Sequence, residues 1–109
     1  MESIHSIEEF REAVDHNTAV LAYFSTDTYS VCHVLKPKVD QMIANTFPQM
    51  KALYVKSDQQ SELAAQNRIF TAPTVLVFFE GRETIRKSRS FGIEELKAEI
   101  QRPYSFLFE

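Results

Sequence analysis

Apolar residues at Ile7, Phe10, Ala13 and Val14 recur at three- and four-residue intervals behind Ser6-Ile7-Glu8-Glu9, a serine answered three residues later by glutamate. That pattern predicts an amphipathic helix from about Ile7 to His16, capped at Ser6 and stopped near Asn17. Ala19 to Phe24 is then an unbroken apolar run, too short for a core helix, and reads as a strand buried on both faces. Small and polar residues separate it from Val31, Leu35, Val39, Met42 and Ile43, the buried stripe of a long second helix capped by Thr28 or Ser30. Pro37 falls inside that helix and predicts a kink.

Ala52 to Val55 reads as a second buried strand, and a short helix beginning at Asp58 or Ser61 carries Leu63, Ala64 and Ala65 before ending near Asn67 and Arg68. Thr74 to Phe79 is the strongest strand signal in the chain, and Glu80-Gly81-Arg82 turns it into a partner strand from about Glu83 to Arg89. Gly92 precedes a last helix with Ile93, Leu96 and Ile100 on one face, which Pro103 is expected to end. The tail from Tyr104 to Phe108 is apolar for a chain end, and is expected to be ordered, folded back on the domain or used in a dimer contact. The order of elements implies one α/β domain over residues 1–109, with a mixed sheet of four to five strands and helices on both faces.

Composition narrows the function classes. A formal charge of -3 leaves no basic field to hold a nucleic acid backbone. The densest basic stretch, Arg82, Arg86, Lys87 and Arg89, has two readings, an anion site or the solvated face of an edge strand kept from aggregating, and the second is favoured. No apolar run has the ~20 residues of a membrane span and the start of the chain lacks a secretory pattern, so the expectation is a cytoplasmic protein without membrane contact. One cysteine, Cys32, permits no intrachain disulfide. His5, His16 and His33 have no metal-ligand spacing with it, and no metal or cofactor is implied.

Several separate signposts carry a resemblance. Cys32 stands five residues before Pro37 at the start of the long helix, and Ala72-Pro73-Thr74 comes just ahead of the strongest strand, with Asp58, Gly81 and Gly92 at fitting positions. In these features, along nearly its whole length, the chain resembles the thioredoxin family. There, a W-C-x-x-C segment opens the long helix, a proline follows five residues after the second cysteine, and a cis-proline precedes the hairpin. The resemblance makes Cys32 the second motif cysteine, so that Tyr29-Ser30-Val31-Cys32 fills the C-x-x-C slot and Thr28 replaces the tryptophan. Tyr29 stands where the attacking thiol belongs, and Tyr23 where many members carry a buried aspartate.

In the family's dithiol reaction the first cysteine, a thiolate at the helix N-terminus, attacks the substrate disulfide and the second resolves the adduct. Tyrosine cannot begin that sequence, so the resemblance implies a fold kept without autonomous dithiol reductase activity. Two readings follow. In one, the chain is a binding module for a protein or peptide partner, with Tyr29, Ser30, Val31, Ala72 and Pro73 forming the groove in which the family pairs extended peptide with backbone beside the cis-proline. In the other, Cys32 is catalytic as a monothiol that exchanges with glutathione or a partner's thiol. A buried, inert Cys32 favours the first.

Overall fold

The computed structural model describes residues 1–28 and 30–108. Its elements run β1 (Glu2–Ser3), α1 (Ile7–Asp15), β2 (Ala19–Ser25), α2 (Ser30–Thr46), β3 (Lys51–Lys56), α3 (Ser61–Gln66), β4 (Thr74–Phe79), β5 (Arg82–Ser88) and α4 (Ile93–Phe108). The five strands form one sheet in the order β1-β3-β2-β4-β5. β1, β3 and β2 are mutually parallel neighbours, while β4 runs antiparallel to β2 and β5 antiparallel to β4.

Every residue of β2 and β4 is buried, as their continuous apolar runs predict for central strands. Because side chains alternate across a strand, β2 feeds two cores. Leu21 and Tyr23 join Val75 and Val77 beneath α2 and α4, through Val39, Met42, Ile43, Leu96 and Ile100. Val20, Ala22 and Phe24 join Leu53, Val55 and Leu76 beneath α1 and α3, through Phe10, Val14 and Leu63. Helices therefore cover both faces of the sheet.

The Ser6 hydroxyl accepts the Glu9 N–H at 3.1 Å, while the Glu9 carboxylate reaches back to the N–H of His5, at 2.8 Å, not to that of Ser6. Asn17 closes α1 by donating its side-chain amide to the Ala13 carbonyl at 2.8 Å. At the hairpin, Gly81 sits at φ +81°, a conformation that costs glycine little. β5 begins and ends one residue earlier than its sequence pattern suggests and is solvent-exposed except at Ile85, with Lys87 half-buried.

The five strands fall within the four to five expected; the fifth, β1, has two residues, too few to display any periodicity, and is held by pairing with Leu53 and Tyr54. One expectation needs correction. The last helix does not stop at Pro103 but continues to Phe108. Proline removes the hydrogen bond to the Glu99 carbonyl, yet the turn beyond it is held from outside. The Tyr104 ring packs 4.9 Å from Phe47 and 4.7 Å from Phe108, and its hydroxyl accepts the Gln49 N–H at 2.9 Å. The tail is thus folded back on the domain, with Tyr104 buried and Phe106 exposed.

Candidate functional site

The site lies at the end of the sheet where β2 and β3 finish, β4 starts and α2 begins. Just past β3, the Ser57 N–H donates to the carbonyl of Ser25, the last residue of β2, at 2.8 Å. The Ser57 hydroxyl is buried without a protein partner among the described residues. The connection from α3 to β4 is pinned at both ends. Ile69 donates its N–H to the Ala64 carbonyl at 2.9 Å, and the Thr74 hydroxyl donates to the Thr71 carbonyl at 2.7 Å. The Ala72–Pro73 peptide bond is cis. Pro73 is buried, and its carbonyl accepts the N–H of Arg89 at 2.8 Å, which ties the end of β5 to this loop.

Between the loop and the first turn of α2 runs an open groove of about 670 Å³, lined among others by Thr26, Val31, Ile69, Phe70, Ala72 and Arg89. Its apolar surface is unusually bare, with Val31 49% and Phe70 85% exposed. Among the described residues, no hydrogen bond within the chain uses the N–H or carbonyl of Ala72.

Cys32 is one residue from Val31 but faces the other way. It is 1% exposed and is not among the residues lining the groove. The group that reaches it from β2 is Tyr23, whose hydroxyl donates to the Cys32 backbone carbonyl at 2.7 Å. Burial pushes the Tyr23 phenol far above its ordinary range, and the nearby Cys32 and Tyr54 add to the shift, so the hydroxyl keeps its proton and remains a donor. Tyr23 stacks on Tyr54 with ring centroids 6.2 Å apart and planes 17° from parallel, and the Lys36 ammonium lies 5.0 Å from the Tyr54 ring centroid. At the position where the resemblance implies a buried aspartate, this chain has a neutral phenol that gives a hydrogen bond to the helix.

Of the residues singled out from the sequence, Val31 and Ala72 meet in the groove, Pro73 lies buried behind it, Ser30 is exposed at the start of α2, and Cys32 is enclosed. Tyr29 lies outside the described residues. Phe70 carries no sequence signal of exposure, since an aromatic following an isoleucine has the composition of a core position. Among the described residues, no three His, Cys, Asp or Glu side chains stand together as a metal site.

Comparison with known proteins agrees with this architecture. The family model described as Thioredoxin matches residues 2–102. The thioredoxin-like protein YdfQ of Bacillus subtilis (strain 168) is 27% identical over 104 residues, covering 95% of this chain and 92% of that protein. Plasmodium falciparum thioredoxin superposes with a TM-score of 0.85 at 22% identity, covering 94% of this chain and 98% of its own. The oxidised mitochondrial thioredoxin 3 of Saccharomyces cerevisiae gives 0.84 at 16% identity, covering 93% of each chain.

Proposed function

The chain belongs to the thioredoxin family, and we propose that within it this protein is a partner-binding member that uses the groove and not the dithiol reaction. The observation that carries this reading is the contrast across one peptide bond: Val31 is 49% exposed to the groove while Cys32 is 1% exposed. With Cys32 the single cysteine in the chain and standing in the resolving position, the two-step exchange has no attacking thiol to form the adduct that a second sulfur would resolve. A thiol must be accessible to attack a disulfide, and this one is shut between α2 and the sheet.

The groove suits an extended peptide. Its strand-like pairing would use the N–H and carbonyl of Ala72, which serve no bond within the described residues, and one apolar side chain of the peptide would cover Phe70 and Val31. Covering these two residues also accounts for leaving a phenylalanine bare in water.

Modification of Cys32 by a chromogenic disulfide reagent, followed with and without urea, tests the proposal. Native protein should react slowly at neutral pH and rapidly once unfolded, and it should not accelerate the reduction of insulin by dithiothreitol. Fast labelling of the folded protein would instead favour a monothiol that exchanges with glutathione or a partner's cysteine.

A further inference from the structure

Two arginines beside the groove adopt backbone conformations that arginine rarely takes. Arg68, just past α3, has φ 56°, and Arg89, just past β5, has φ 62°. Both lie in the left-handed region, where glycine and asparagine are at ease and a Cβ-bearing cation is not. The end of α3 explains a left-handed turn at Arg68, since helices commonly finish that way, but glycine would make that turn at less cost. Arg89 has no helix end to explain it.

The two side chains open on one place. Arg68, Arg86, Arg89 and Glu83 are the charged residues lining a second depression of about 770 Å³, which shares Phe70, Thr71 and Arg89 with the groove. Arg86 is already engaged: it donates to both Glu83 carboxylate oxygens at 2.9 and 2.8 Å, and to the carbonyls of Asn67 and Arg68 at 2.8 and 3.1 Å. It therefore neutralises Glu83 and holds the Arg68 turn. Neither Arg68 nor Arg89 is within ion-pair distance of a carboxylate among the described residues, although the Arg68 charge adds to that of Arg86 in holding the Glu83 carboxyl below its ordinary range. On a chain of formal charge -3, the groove thus ends against a cationic rim.

Resting on the groove reading above, we propose that the partner segment is acidic: an extended protein segment whose apolar side chain covers Phe70 and Val31 and whose neighbouring aspartate or glutamate meets Arg68 and Arg89. Arginine suits this role because its planar fork of donors matches a carboxylate. Rim charges of this kind govern register and encounter rate more than total affinity, so the acidic residue would set where along the groove the partner stops.

The test is selection of a fully randomised displayed-peptide library on the purified chain, then titration of the selected peptides. Enrichment of Asp or Glu beside an apolar residue is expected. Binding should weaken about fivefold in the double variant R68N/R89N, with a flatter dependence on salt. Asparagine accepts the left-handed backbone, so this variant should melt no lower than wild type. Phe70→Ala should weaken binding of every selected peptide. Peptides that depend on Phe70 but show no acidic preference, or are indifferent to R68N/R89N, would overturn the acidic specificity and leave the groove reading standing. An absence of enriched peptides, or enriched peptides indifferent to Phe70→Ala, would overturn both.

Discussion

Tyr23 changes role between sequence and structure. Read along the chain it marks the loss of a buried acid; in the fold it supplies a hydrogen bond to the Cys32 carbonyl. That partner was not legible beforehand, because a backbone carbonyl of α2 has no sequence signature. Tyr23→Phe keeps the ring but leaves the carbonyl without this donor, so urea unfolding at neutral pH should show a loss of about 1–3 kcal/mol. The pH dependence follows from the raised phenol. Below the ordinary value of 10.0 both folded and unfolded chains hold the proton. Above it the unfolded chain releases a proton that the folded chain retains, so stability falls as the solution becomes more alkaline. The phenylalanine variant should lack this share of the alkaline loss, and the gap between the two proteins in urea midpoint should narrow above that pH. A gap that stays constant or widens would contradict the assignment.

Elements with a strong period were plain in the sequence: α1, β2, β4 and the start of α2 lie within a residue or two of where their patterns put them. What escaped was decided by contacts across the molecule. β1 exists through its pairing with β3, and α4 outlasts Pro103 because Tyr104 has both a hydrophobic seat and a hydrogen-bond donor to satisfy its hydroxyl. An internal proline costs a helix about 3 kcal/mol, comparable to what burying an aromatic side chain returns. The last turns of α4 should therefore respond very unevenly to substitution. In urea melts Tyr104→Ala should lose about 3–5 kcal/mol, Tyr104→Phe about 1 kcal/mol, and Phe106→Ser, at a position 87% exposed, no more than about 0.5 kcal/mol. A large loss at Phe106 would mean that this face is covered by another chain in solution.

For the molecule as a whole, a single enclosed cysteine removes the usual coupling between redox state and stability in a dithiol fold. The thermal midpoint should be the same in reducing and oxidising buffers, measured by calorimetry with and without dithiothreitol, because no intrachain disulfide can form to constrain the unfolded chain. A midpoint that moves with reductant would show Cys32 bonded to something. At this scale the groove's position was legible from the Cys32–Pro37 spacing and the Ala72-Pro73 step, whereas its cationic rim was legible only in part: Arg89 lies in the basic stretch, but Arg68 is 21 residues away and lines the same depression only when β5 folds back on the loop. The sheet itself has a further consequence. Its two cores touch only through the strand backbones, so a change in the Leu21 layer is nearly invisible to the Phe24 layer, and losses on opposite faces should sum. Each layer can be rewritten by mutation without compensation in the other.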